Sequence, residues 1–184
     1  KIGSSPVPGY LEEEKGSPTS STATYAAIRV EIDNWRWAGV PFLLRSGKRL
    51  PVKNTEITIT FKRPPLNLFP QPSQPNMLHI NIQPDEGVTI SFDAKTPGLT
   101  SDLRRVEIDF GNTGPSAYER LILDAMNGDA SLFPREDEVV ASWAWIEPLL
   151  GAKLPMRHYA AGTWGPSEAN DLLRRDQTWL ELPK

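Results

Sequence analysis

Four segments of alternating apolar and polar residues constrain the fold of this chain more than any other feature of its sequence. In "TEITITFK", Ile57, Ile59 and Phe61 fall on one face of a strand, and the threonines and Lys62 fall on the other. The segments "NMLHINIQ", "GVTISFDAK" and "RRVEIDFG" repeat this pattern, and "TYAAIRVEID" follows it less cleanly. Connections rich in Pro and Gly separate them, so the segments predict an antiparallel sheet with one buried face.

A helical period replaces this alternation after Ser116. In "SAYERLILDAMNG", Tyr118, Leu121 and Ile122 begin an apolar stripe, and Gly128 predicts the end of the helix. "PREDEVVASWAWIEPLL" predicts a second helix that begins with three acids and places Trp143 in the core.

A third, short helix is predicted over "SEANDLLRRD", with Ser167 as its N-cap and Arg174 and Arg175 near its last turn. Strands followed by helices predict an α+β fold with a large, mostly antiparallel sheet and helices packed on one face. We expect residues 1–184 to form a single domain.

Composition excludes several classes of function. The 184 residues carry a formal net charge of −3, which disfavours bulk nucleic-acid binding. Cysteine is absent, so disulfides, thiol catalysis and cysteine-based metal sites are excluded. No apolar run approaches the ~20 residues that span a bilayer, so no membrane partner is expected. Because the chain opens with Lys1 and a polar arm instead of Met, we expect it to be a piece of a longer protein.

A basic cluster follows the apolar run "VPFLL", which predicts a buried strand. Its members are Arg45, Lys48, Arg49 and Lys53. Gly47 would let the backbone turn sharply before Lys48, and strand ends of this kind often carry binding groups. Gln83, at the end of another predicted strand, offers a donor and an acceptor to hydroxyl groups. From the residues alone, a bound anion or polyol and an ordinary solvated loop both remain open.

The two histidines, His79 and His158, lack the spacing of metal ligands and are interpreted as structural. We therefore expect no metal site. The sequence also contains no nucleophile elbow and no phosphate-binding glycine loop.

Several long blocks closely resemble glucose-6-phosphate dehydrogenases, namely "IDNWRWAGVPFLLRSGKRL", "PNMLHINIQPDEGV", "AYERLILDAMNGD" and "WGPSEANDLL". The resemblance is to the C-terminal domain only. It implies that an N-terminal Rossmann domain, absent from this chain, binds NADP (or NAD in some members) and carries the catalytic histidine. No catalytic or cofactor-binding residue is therefore expected here.

The resemblance also implies substrate contacts. Lys48 matches the family's substrate-contacting lysine, Lys53 matches a second basic position beside the sugar, and Gln83 matches a glutamine near the substrate. The implied reaction is the NADP-dependent oxidation of glucose 6-phosphate to 6-phosphogluconolactone, and this fragment alone is expected to be inactive. The implied partners are the enzyme's own N-terminal domain and a second copy, in a cytoplasmic homodimer or homotetramer formed through the sheet.

Some eukaryotic members carry a second, structural NADP site lined by basic residues. This chain keeps Arg45 at one such position, and the other matching positions hold Asn54, Thr58, Asn81 and Trp164. We therefore expect that site to be absent or weak. Two other classes remain as alternatives: a non-catalytic dimerisation or scaffold relative, and a carbohydrate-binding module.

Overall fold

A computed structural model describes residues 7–13, 19–111, 117–152 and 154–180. The chain divides into two compact units, and the expectation of a single domain stays a prediction. The first unit combines Lys1–Lys53 with Lys153–Lys184, and the second is Asn54–Ala152. Antiparallel sheets accompanied by few helices confirm the predicted α+β class.

The first unit contains a two-stranded antiparallel sheet. Strand β1 (Tyr25–Val30) pairs with β2 (Phe42–Gly47) in a register that runs from Tyr25 opposite Gly47 to Val30 opposite Phe42. The apolar run before the basic cluster is thus a strand, as predicted. It is not a buried one, since 49% of Leu44 is exposed. An apolar run shows that residues favour a strand, but it does not show how many layers cover that strand.

The third predicted helix is a short 3-10 helix, Ser167–Leu172. Pro166 precedes it, and Ser167 lies inside the helix with its hydroxyl donating to Oε2 of Glu168. The predicted cap is wrong, and the helix is shorter than predicted, so that Arg174 and Arg175 follow its last turn. The tighter i to i+3 hydrogen bonding ends the element at Leu172, before the arginines are reached.

The second unit contains a four-stranded antiparallel sheet in the order β3-β4-β5-β6. One row of its apolar face runs from Ile59 through Leu78 and Ile90 to Ile108, as the alternation predicted. Side-chain hydrogen bonds cross the opposite, polar face, as between Thr58 Oγ1 and His79 Nδ1 at 3.0 Å. The strands are β3 (Thr55–Thr60), β4 (Met77–Gln83), β5 (Gly87–Lys95) and β6 (Leu103–Gly111).

Two α-helices complete this unit, α1 (Ala117–Asn127) and α2 (Glu136–Gly151). Gly128 follows α1 at φ 71°, which is the predicted stop. Within the described residues, α1 and α2 make at most slight contact with the sheet. Trp143 is 61% exposed, so its assignment to the core is wrong. Helical periodicity identifies an apolar stripe without identifying the surface that covers it. None of the described helices is long and apolar enough to cross a bilayer.

Candidate functional site

The backbone around Lys48 is held on both sides. The Lys48 N–H donates to the carbonyl oxygen of Thr24 at 2.8 Å, and the Lys48 carbonyl accepts a hydrogen bond from the Tyr159 hydroxyl at 2.7 Å. The left-handed residue of this turn is Arg49, with φ 51°, and not Gly47. The prediction that Gly47 allows the backbone to turn sharply before Lys48 is therefore wrong. A Cβ at Gly47 would lie 2.7 Å from the ring of Tyr25, so glycine leaves room for that ring.

Arg49 holds the turn in place through two contacts. Its guanidinium forms an ion pair with Glu13, with Nη2 to Oε1 at 2.8 Å, and its carbonyl accepts the Gly162 N–H at 2.8 Å. Arg49 therefore contributes to structure rather than offering a charge to a ligand.

Arg45 is also engaged within the first unit. Its guanidinium lies 4.4 Å from the ring centre of Trp164 and 5.1 Å from that of Trp179, and it donates to the Leu180 carbonyl. Stacking on two indoles is a strong cation–π arrangement. These side chains line a cleft of about 360 Å³, whose wall also includes the glycines Gly162 and Gly165.

The remaining two cations, Lys48 and Lys53, are exposed. Within the described part of the chain, neither ammonium group has an ion-pair or hydrogen-bond partner. The basic cluster is thus divided: two arginines support the loop, and two lysines keep their charges available. The sequence places all four cations together but does not indicate this division.

Gln83 belongs to the second unit, where it ends β4 opposite Thr55. Its side chain is exposed. Two residues at the positions compared with the structural nucleotide site, Asn54 and Thr58, are also in this unit. The Asn54 amide donates to Glu56 at 3.2 Å, and Thr58 pairs with His79. His158 is exposed. No group of three or more possible metal ligands occurs among the described residues.

Two tyrosines beside the lysine turn were missed by the sequence analysis. The rings of Tyr25 and Tyr159 lie 5.4 Å apart, and Tyr159 also lies near Thr24, with its hydroxyl 3.1 Å from the Thr24 carbonyl oxygen. The Tyr25 hydroxyl is buried and has no hydrogen-bond partner among the described residues. Burial raises the pKa of Tyr25; the charge of Arg45 opposes this rise, and Tyr159 adds to it. Tyr159 directly follows His158, in a loop whose sequence gives no signal that a tyrosine there contacts the lysine turn.

Comparison with known proteins identifies the family. Residues 1–180 match the family described as the glucose-6-phosphate dehydrogenase C-terminal domain. Glucose-6-phosphate 1-dehydrogenase of Aggregatibacter actinomycetemcomitans is 49% identical over 178 residues, which cover 92% of this chain and 36% of the relative. That of Treponema pallidum is 46% identical, with 95% of this chain and 37% of the relative covered.

Solved structures give the same result. The Mycobacterium avium glucose-6-phosphate 1-dehydrogenase matches with a TM-score of 0.81 and 37% identity, covering 96% of this chain and 40% of that one. A glucose-6-phosphate dehydrogenase in complex with glucose 6-phosphate matches with a TM-score of 0.82 and 37% identity, covering 95% of this chain and 38% of that one. The chain spans roughly two-fifths of the length of these relatives. It therefore belongs to the glucose-6-phosphate dehydrogenase family, as a C-terminal domain.

Proposed function

We propose that this chain forms one wall of the substrate pocket in an NADP-dependent enzyme that oxidises glucose 6-phosphate to 6-phosphogluconolactone. The observation that carries the proposal is the pair of exposed ammonium groups of Lys48 and Lys53, which have no partner among the described residues. The match to a relative solved with glucose 6-phosphate supports it.

The chemistry of the two lysines suits this substrate. Glucose 6-phosphate combines an anionic phosphate with hydroxyl groups, and an ammonium group offers both a charge and three hydrogen-bond donors. At 4 Å, two opposite unit charges attract by about 1 kcal/mol in water and about 4 kcal/mol in the intermediate dielectric near a protein surface. Lys48 and Lys53 thereby orient the sugar, which lowers the entropic part of the barrier. An ammonium near the C1 oxygen also stabilises negative charge as that oxygen loses its proton.

Gln83 completes the proposed set of substrate contacts. Its amide provides a donor and an acceptor for sugar hydroxyls. No role in proton transfer is assigned to any of the three residues.

The cofactor and the catalytic base are assigned to the N-terminal domain. The sequence has no G-x-G-x-x-G motif, so this chain offers no dinucleotide site of that kind. When bound, NADP supplies the hydride acceptor for C1 of the sugar. The isolated chain is accordingly proposed to be inactive.

We also propose a cytoplasmic homodimer or homotetramer that assembles through the four-stranded sheet. Ile57 is 50% exposed and Phe110 is 56% exposed on the apolar face of this sheet. Contiguous exposed apolar side chains usually mark a surface that another protein covers. Light scattering on the intact enzyme, before and after Ile57→Asp, measures the assembly directly.

The substrate role is tested by Lys48→Ala in the intact enzyme. A hydrogen bond to a charged group contributes about 1.5–3 kcal/mol, so kcat/KM for glucose 6-phosphate is expected to fall about 10- to 150-fold with unchanged folding. Lys62→Ala is the control, because Lys62 is an exposed lysine just beyond the end of β3. Unaltered kinetics in Lys48→Ala would exclude the substrate role of Lys48.

A further inference from the structure

One hydroxyl group connects the lysine turn to a distant loop. Tyr159 donates to the carbonyl oxygen of Lys48 at 2.7 Å across 111 positions of sequence. The same hydroxyl lies 3.1 Å from the carbonyl oxygen of Thr24, which itself accepts the Lys48 N–H. Both polar groups of the Lys48 backbone are therefore fixed, one to the residue preceding β1 and the other to Tyr159.

The next residue needs this support. Arg49 adopts the left-handed conformation at φ 51°, which a side chain with a Cβ disfavours. Its carbonyl accepts the N–H of Gly162, three residues after Tyr159. The loop from Tyr159 to Gly162 therefore holds two consecutive carbonyl groups of the turn. The backbone at Lys48 sets the direction in which its side chain leaves, so this loop controls where the ammonium group can reach.

Packing keeps the Tyr159 hydroxyl in place. The Tyr159 ring lies 5.4 Å from the Tyr25 ring at an interplanar angle of 56°. Tyr25 in turn fills the space left by Gly47 and Gly165, where a Cβ would meet its ring at less than contact distance. A phenol with only two rotatable side-chain bonds, packed in this way, loses little entropy when it forms its hydrogen bond.

We infer that Tyr159 is a positioning residue that directs Lys48 towards the bound sugar. This inference rests on the proposed substrate role of Lys48, since Tyr159 acts through the lysine and is not itself a substrate contact. Because the hydrogen-bond partners of this hydroxyl among the described residues are backbone carbonyls, its loss leaves the charge of Lys48 intact and makes the position of its ammonium group less defined.

The test is Tyr159→Phe in the intact enzyme. The variant keeps the ring and removes one hydrogen bond, so KM for glucose 6-phosphate is expected to rise about 3- to 10-fold. The KM for NADP is expected to stay unchanged, which a general structural defect would not produce. Tyr25→Phe is the matched control: it removes the same atom from the stacked neighbour, whose hydroxyl has no hydrogen-bond partner among the described residues, so both KM values should stay unchanged.

The double variant Tyr159→Phe with Lys48→Ala decides whether the tyrosine acts through the lysine. If it does, Tyr159→Phe has no further effect on KM once Lys48 is alanine. An equal effect in both backgrounds would overturn the inference, as would an unchanged KM in Tyr159→Phe while Lys48→Ala raises it. If Lys48→Ala leaves kcat/KM unchanged, the substrate role of Lys48 fails, and the inference fails with it.

Discussion

Replacing Gly165 by alanine tests the packing of the tyrosines beside the lysine turn. Gly165 has φ +105°, a conformation that L side chains rarely adopt. A Cβ there would lie 2.5 Å from Cζ and 2.8 Å from Oη of Tyr25, and closer still to Cε2. The ring cannot simply swing away, because Gly47 and Tyr159 bound it elsewhere.

The expected loss of stability has two parts. The disfavoured backbone conformation costs about 1–2 kcal/mol for a residue with a Cβ. Forcing extra atoms into the packed site costs about 1–3 kcal/mol more. The free energy of unfolding should therefore fall by about 2–5 kcal/mol, and Tm by about 4–20 °C for a chain of this size.

Two other glycines separate these parts. Gly39 has φ +77°, and no described atom lies within 4 Å of the place that a Cβ would take, so Gly39→Ala isolates the backbone cost. Gly47 lacks a positive φ, and its Cβ would lie 2.7 Å from the Tyr25 ring, so Gly47→Ala isolates the packing cost. Urea unfolding of the three variants gives the comparison. If Gly165→Ala is no more destabilising than Gly39→Ala, the described position of the Tyr25 ring is refuted.

Three further predictions concern individual side chains. Because the pKa of Tyr25 is raised above 10.0, the folded state keeps this proton while the unfolded state loses it, so stability is full below pH 10 and falls as pH rises through the raised pKa. Tyr25→Phe should remove that part of the alkaline loss in urea titrations at several pH values, and an unchanged pH profile would contradict the shift. Trp179→Phe removes the Nε1 hydrogen bond to the Ala169 carbonyl and weakens the contact of the ring with Arg45, so it should cost at least about 1 kcal/mol, measured by urea unfolding; no change would mean that neither contact contributes. Asp93→Asn breaks the half-buried ion pair with Arg105 and should lower Tm by several degrees; an unchanged Tm would mean that the pair does not contribute to stability.

The strands were predictable because their signal is local. Alternation in the segments that became β3 to β6 fixes which residues share a face, and the structure places Ile59, Leu78, Ile90 and Ile108 in one row. Helix α1 and its stop at Gly128 were predictable for the same reason.

The sequence could not predict which cations of the basic cluster support the loop and which remain exposed, because this depends on partners far away in the sequence. Arg45 is held by Trp164 and Trp179, and Lys48 by Tyr159, all more than a hundred positions away. No spacing rule connects residues so far apart. The exposure of Trp143 was missed for a related reason, since a stripe does not show what covers it.

The discontinuous first unit has a consequence for the order of folding during synthesis. The segment Asn54–Ala152 separates the β1–β2 hairpin from Tyr159, Trp164 and Trp179, which hold it. At about 5–20 residues per second, a ribosome needs about 5–20 s to add these roughly one hundred residues. The second unit can form its sheet in that interval, whereas the turn at Lys48 lacks its hydrogen bond to Tyr159 until residue 159 has been added. The part of the chain that carries Lys48 is made early and completed late.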